Sequence, residues 1–207
     1  MSIRVITADD HPIVRAGVSA LIRNEPDMQV VAEAADGEEA VTLFDRHRPD
    51  VVLMDLRMPK LDGVAALKAI RERNPNARVL ALTTYDGDVD ISRALSAGAS
   101  GYLLKESIGE DVVQAVRLAA AGWRVVPPSI VARLSEYSPR EDLTAREWEV
   151  LRLTAKGFRN RDIARLIGRS VETVKAHLKS IMRKLGVEDR TEAVTLALQR
   201  GFIHLDD

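Results

Sequence analysis

The sequence predicts an α/β fold, a doubly wound five-stranded parallel sheet, followed by an all-α domain of four helices. Three observations carry that prediction. Up to about residue 122, short β-branched runs alternate with amphipathic stretches of helical length, as successive βαβ units do. Three of the β-branched runs are almost continuously apolar, the mark of strands buried on both faces. Past residue 143 the alternation stops and only helical periodicity remains.

In chain order the strands are expected at Ile3–Ala8, Met28–Ala34, Val51–Asp55, Arg78–Thr83 and Gly101–Leu104. The helices between them are expected at Pro12–Asn24, Gly37–His47, Asp62–Asn74, Asp88–Ala97 and Ile108–Gly122. In the second half, helical patterns cover Thr144–Lys156, Asn160–Ile167, Val171–Leu185 and Asp189–Arg200. Thr144 followed by Glu147 fits a capping box. Gly157, Gly168 and Gly186 fall where helices end and a left-handed residue is wanted. Between the halves, Pro127-Pro128 and the stretch Tyr137–Asp142 break the periodicity. The reading is a first domain over 1–122, a connection over 123–142 with a short helix near Ser129–Glu136 and about six residues of linker, and a second domain over 143–207.

Composition removes several classes of function. The chain has 207 residues, a net charge of −1 and no cysteine, which excludes a disulfide scaffold, a thiolate metal site and a cysteine nucleophile. No run approaches the ~18 apolar residues of a membrane span. The N-terminus turns acidic at Asp9-Asp10, too early for a secretory signal. A cytoplasmic protein with no membrane partner is expected. The small net charge hides an asymmetry. Residues 1–130 hold 15 Lys+Arg and 19 Asp+Glu, a net of −4, and residues 131–207 hold 15 and 12, a net of +3. Lys156 to Lys184 alone carries nine bases and two acids. Such a block is the electrostatic footprint that binding to phosphates requires.

In the first half, polar residues gather at the carboxyl ends of the strands, where open α/β sheets bind their ligands. Asp9 and Asp10 close the first strand, Asp55 the third and Thr83 the fourth, and Lys105 follows the fifth. Three crowded carboxylates repel one another and call for a cation, and oxygen ligands suit Mg²⁺. One carboxylate could then act as a nucleophile toward a phosphoryl group, with the hydroxyl and the ammonium binding its oxygens. His11, directly after the acids, reads as a loop or cap residue.

Asp9-Asp10, the segment Met54-Asp55-Leu56-Arg57-Met58-Pro59-Lys60-Leu61-Asp62-Gly63, then Leu82-Thr83-Thr84-Tyr85 and Gly101-Tyr102-Leu103-Leu104-Lys105 resemble a response-regulator receiver domain over Ser2–Gly122. The resemblance implies phosphorylation of Asp55 by a partner histidine kinase. It implies Mg²⁺ held by Asp10, Asp55 and the Arg57 carbonyl with help from Asp9. It also implies that Thr83 and Lys105 bind the phosphoryl group and that Thr83 and Tyr102 form the switch. Glu106 stands where many receivers have proline. Arg57 and Tyr85 are bulky, and are expected to hinder attacking water and lengthen the life of the phosphorylated state.

In the basic half, Asn160–Lys179 reads as a helix–turn–helix in which Ser170 caps the longer helix. Val171, Val174, Leu178, Ile181 and Leu185 make one buried stripe. The opposite face is small, polar and basic, as entry into a major groove requires. Leu143–Leu205 resembles a LuxR-type DNA-binding domain, carried by Leu143-Thr144-Ala145-Arg146-Glu147, Gly157, Asn160, Ile163-Ala164, Thr173–His177, Lys184–Val187 and Arg190–Val194. The resemblance implies that Lys175, Ala176 and Lys179 reach base edges and that Thr173, His177, Arg183 and Lys184 hold phosphates. Arg169 either adds a phosphate contact or loosens the turn. The apolar residues of Asp189–Arg200 either form a dimer contact or pack on their own domain.

A receiver followed by this domain is the order of a NarL/FixJ-type response regulator. It implies a regulator of transcription rather than an enzyme, with double-stranded DNA and RNA polymerase as partners and a homodimer when phosphorylated. The short linker suits a resting form in which the receiver covers the recognition helix. The alternative is a DNA-binding factor independent of phosphorylation that uses the receiver to dimerise. A phosphatase on a similar sheet would need a general acid/base beside the nucleophile, and none is evident.

Overall fold

The computed structural model describes residues 2–84, 87–107, 109–128, 130–132 and 143–203. Tyr85, part of the expected Ser129–Glu136 helix and the six-residue linker lie outside the described residues. The chain forms two compact units, the parallel sheet in the first and four helices in the second. Among the described residues no helix is long and apolar enough to cross a membrane.

The first unit runs β1 (Ile3–Ala8), α1 (Pro12–Arg23), β2 (Met28–Ala34), α2 (Gly37–His47), β3 (Val51–Met54), α3 (Gly63–Arg73), β4 (Val79–Thr83), α4 (Asp88–Ser96), β5 (Gly101–Leu104) and α5 (Glu110–Ala120). The strands pair in parallel in the order β2-β1-β3-β4-β5. This is a doubly wound order whose switch point lies between β1 and β3. Alternate residues of each strand feed two cores. Ile6, Val52, Met54, Ala81 and Tyr102 pack with α2, α3 and α4, whereas Val5, Leu53, Leu80, Leu82 and Leu103 pack with α1 and α5. Burial on both faces explains why the strands read as continuous apolar runs.

Helix starts follow their caps. The carboxylates of Asp36 and Asp62 accept from the N–H groups of Glu39 and Ala65, which fixes the first residues of α2 and α3 at Gly37 and Gly63. A 3₁₀ turn at Lys105–Ser107, not expected from the sequence, carries the chain out of β5. The first unit also continues past residue 122. Val125 bridges Gly101 in parallel, accepts from the Tyr102 N–H at 2.9 Å, and donates to the Ser100 carbonyl at 2.9 Å. Ile130 is buried in the same core as Tyr102. The expected linker start at 123 is therefore displaced toward the C-terminus, because the edge of β5 needs its backbone groups satisfied.

The second unit holds α6 (Ala145–Ala155), α7 (Asn160–Leu166), α8 (Val171–Leu185) and α9 (Arg190–Gln199). Thr144 and Glu147 form the full capping box of α6. All four helices end alike: a glycine with positive φ (Gly157, Gly168, Gly186, Gly201) is followed by a residue whose N–H returns to the last turn. The core joins Val150, Leu151, Ile163, Val174, Leu178, Ile181 and Leu185, the stripe expected on α8. Ala193 and Ala197 are buried in that core and Val194, Leu196 and Leu198 pack against it, so the apolar face of α9 is occupied by its own unit.

Candidate functional site

Parallel pairing brings the polar strand ends together. Asp9 and Asp55 are buried, 4% and 3% exposed, at the ends of the adjacent strands β1 and β3, and Asp10 is partly exposed beside them. Oxygen atoms of Asp9, Asp10 and Asp55, with a ring nitrogen of His11, all lie within 4.8 Å of one another. Lys105, at the end of β5, sends its ammonium to 2.6 Å from Asp55 Oδ2 and 2.7 Å from Asp9 Oδ2. The Arg57 N–H donates to the other oxygen, Asp55 Oδ1, at 3.2 Å. Thr83 closes β4 and is fully buried, as is Tyr102 in the middle of β5.

Electrostatics follow from this crowding. Burial pushes the Asp55 carboxyl above its ordinary value; the Lys105 ammonium and the Arg57 N–H pull it back, and the Asp9 charge adds to the rise. Burial pulls Lys105 down, but its hydrogen bonds to Asp55 and Asp9 outweigh that and hold the ammonium above its usual value. The Lys105 ammonium is shared by Asp55 and Asp9, and the Asp10 carboxylate lies beside them, so carboxylates outnumber the ammonium and oxygen ligands are in excess. The carboxylate set of Asp9, Asp10 and Asp55 fits a hard divalent cation.

Two neighbours of the cluster escaped the sequence reading. Arg15 on α1 donates to the Asp9 carbonyl and lies near Glu33, which fixes the turn that presents the acids. Asp36 and Lys60 form an ion pair at 2.5 Å on the same edge of the sheet. Side chains from separate elements meet in both cases, and no local spacing encodes that. His11 is the N-cap residue of α1 with Pro12 at the first helical position, and its Nδ1 lies 2.7 Å from Asp10 Oδ1.

On α8, Lys175, Ala176, Lys179 and Arg183 are exposed and Thr173 and His177 partly so. The Thr173 N–H donates to Ser170 Oγ at 3.1 Å, which closes the helix cap. Lys184 differs from its neighbours. Its side chain is 11% exposed and its ammonium lies 2.9 Å from Glu147 Oε2. Glu147 also accepts from the Thr144 N–H at 2.7 Å. Although burial raises its pKa, hydrogen bonds from Ser180, Lys184 and Thr144 prevail and hold it at about 2. Arg190 donates to the Phe158 carbonyl and to Asn160, tying the start of α9 to the α6–α7 turn.

Comparison with known proteins agrees with both regions. A family model described as "Response regulator receiver domain" matches residues 5–117, and one described as "Bacterial regulatory proteins, luxR family" matches residues 141–197. The response regulator protein VraR of Staphylococcus aureus strain Mu3 is 39% identical over 98% of this chain and 100% of its own. The crystal structure of response regulator ChrA, from a heme-sensing two-component system, is 41% identical with a TM-score of 0.59, covering 98% of this chain and 99% of that one. A structure of two RcsB dimers bound to two parallel DNAs is 30% identical with a TM-score of 0.67, covering 96% and 99%. The chain therefore belongs to the response regulators of two-component systems that join a receiver domain to a LuxR-type domain.

Proposed function

We propose that Asp55 accepts a phosphoryl group from a partner histidine kinase and that this controls sequence-specific binding of double-stranded DNA by the second unit. The observation that carries the reading is a buried carboxylate at a strand end, held between the Lys105 ammonium and the Arg57 N–H with two further carboxylates beside it. In the transfer, an Asp55 oxygen attacks phosphorus in line as the bond to the kinase histidine nitrogen breaks, leaving an acyl phosphate on Asp55. Mg²⁺, when bound by Asp9, Asp10, Asp55 and the Arg57 carbonyl, supplies positive charge to the phosphoryl oxygens. Lys105 turns its ammonium from the carboxylates to the arriving group, and the Thr83 hydroxyl donates to it. Thr83 and Tyr102, both buried, are the residues through which the change passes to the rest of the unit.

On DNA, α8 enters the major groove, as a recognition helix does. Lys175, Ala176 and Lys179 face base edges, and Thr173, His177 and Arg183 contact phosphates. Lys184 serves the unit itself through Glu147. The likeness to the DNA-bound RcsB structures supports this reading. Phosphorylation favours a homodimer on paired half-sites, in the cytoplasm, with RNA polymerase as a further partner.

The test uses the full chain with Mg²⁺ and acetyl phosphate. The chain is expected to gain one phosphoryl group, Asp55→Asn none, and only the phosphorylated chain to bind a selected DNA site tightly. Unchanged labelling of Asp55→Asn would overturn the site. Equal DNA affinity with and without phosphate would favour a factor that binds independently of phosphorylation.

A further inference from the structure

The loop from β3 to α3 carries two of the groups assigned to the acidic site. Asp55 begins it, and the Arg57 backbone follows, with its N–H on Asp55 Oδ1. The far end of the loop is fixed by the Gly63 N–H on the Leu56 carbonyl at 2.9 Å and by the Asp62 cap of α3. Its middle makes a tight turn in which the Leu61 N–H reaches the Pro59 carbonyl at 2.7 Å. At the crest of that turn stands Lys60, with a φ of 63°. This is the left-handed region, which glycine enters without strain and lysine does not.

The Lys60 side chain crosses to the end of β2. Its ammonium lies 2.5 Å from Asp36 Oδ2, while Asp36 Oδ1 accepts from the Glu39 N–H at 2.8 Å. The Asp36 carboxylate is 8% exposed, and each of its oxygens thus has a separate partner. The Lys60 ammonium, and after it the Glu39 N–H, holds the Asp36 carboxyl below its usual range, and Asp36 in turn raises Lys60. Both groups are charged at neutral pH. Beside the pair the backbones touch: a Cβ on Gly37 would meet the Leu61 carbonyl oxygen at 2.1 Å. The residue after Lys60 is thereby seated against the first turn of α2.

We propose that the Lys60–Asp36 ion pair is a latch that positions the β3–α3 loop and so sets how tightly the acidic cluster holds a divalent cation. This rests on the reading of Asp9, Asp10, Asp55 and the Arg57 carbonyl as the cation's ligands. The latch makes no contact with the cation; Lys60 and Asp36 are positioning residues. They fix a strained turn three residues from the Arg57 carbonyl, and a carbonyl ligand binds well only if it is aimed before the cation arrives. A freed turn would let that carbonyl swing and would loosen the Arg57 N–H on Asp55.

The experiment is a calorimetric titration of Mg²⁺ into the full, unphosphorylated chain, with thermal unfolding measured in parallel. Lys60→Met removes the charge and keeps the strained residue; Lys60→Gly removes both. Each is expected to weaken Mg²⁺ binding by about 5- to 10-fold. Lys60→Met should move the unfolding midpoint by less than about 2 °C, because the lysine end of the pair is exposed. Lys60→Arg should restore most of the affinity, and about 0.5 M salt should narrow the gap between wild type and Lys60→Met. Asp36→Asn, which keeps a capping oxygen for Glu39, should match Lys60→Met. Affinity unchanged in Lys60→Met, or equally lost in Lys60→Arg, would overturn the latch. A wild-type chain that takes up no Mg²⁺ would instead overturn the cation site on which the latch rests. The wild-type titration tells these two failures apart, because the latch is judged only on a chain that takes up Mg²⁺.

Discussion

The two charged regions of this chain solve opposite problems. At the sheet edge, like charges are forced together in the interior: the Asp9 and Asp55 carboxylates share the Lys105 ammonium, and the three side chains, each under a tenth exposed, stand at the ends of three different strands. On α8, like charges are spread along one helix and face water, and the one lysine that turns inward, Lys184, is neutralised by Glu147. Chemistry on a carboxylate gains from a dry, rigid setting in which each group is aimed in advance. Recognition of a polyanion gains from cations that keep their freedom until counterions are released. Two glycines show the same division. In the first unit Gly63 makes room, since a Cβ there would lie 2.0 Å from the Asp55 carbonyl oxygen. In the second unit Gly168 supplies a φ of 64°, with no atom within 4 Å of where its Cβ would be.

That contrast can be broken by a pair of identical substitutions. Gly63→Ala should cost about 3 kcal/mol, since the backbone behind Asp55 must shift to admit a methyl group. It should also weaken Mg²⁺ binding. Gly168→Ala should cost about 1 kcal/mol, from the backbone conformation alone. Urea unfolding of the full chain separates the two units. Trp148 packs against Phe202 in the second unit and, in a Trp123→Phe background that removes the exposed tryptophan of the first unit, reports on the second by fluorescence, whereas circular dichroism reports on both. Equal costs for the two substitutions would end the distinction.

The strand ends and the α8 stripe were legible in the sequence because each is periodic. Asp9, Asp55 and Lys105 terminate apolar runs, and a parallel sheet places all such ends on one edge. Glycine at the helix ends was legible for the same local reason. The Lys60–Asp36 pair, the Arg15 contact with the Asp9 carbonyl and the Lys184–Glu147 pair were not. Their partners stand 24, 6 and 37 residues apart, and only the packing of α2 beside α3, α1 beside β1 and α6 beside α8 joins them. Val125 was read as linker because a single bridge residue leaves no periodicity to detect.

A second experiment sharpens the electrostatic side of the comparison. Glu147→Gln keeps the capping box, which glutamine can complete, but leaves the Lys184 ammonium without its countercharge. It should cost about 2 kcal/mol at pH 7 in the second unit. The Glu147 carboxyl titrates at about 2 in the folded chain against an ordinary 4.5. Its contribution is therefore fully present above pH 4.5 and is lost as the pH falls toward 2. The gap between wild type and Glu147→Gln should close over that window, as followed by Trp148 fluorescence. A gap that stays constant with pH would mean that the pair stabilises by packing rather than by charge.

The smallest expected change in stability belongs to the exposed face, and it separates two neighbouring cations. Arg183 and Lys184 are adjacent in sequence, but Arg183 is exposed and Lys184 is turned toward Glu147. Arg183→Ala should leave stability within about 0.5 kcal/mol of wild type. It should also flatten the salt dependence of DNA binding, lowering the slope of log K against log salt by about 1, as loss of one phosphate contact does. Lys184→Met should do the reverse: it should destabilise the second unit by an amount comparable to Glu147→Gln and leave the salt slope of the folded fraction unchanged. The two variants are compared by fluorescence anisotropy on one DNA site at several salt concentrations, beside urea unfolding. If Lys184→Met flattened the slope and Arg183→Ala did not, the buried pair would be the one that opens on DNA. The division between an inward structural cation and an outward binding cation on α8 would then have to be drawn the other way round.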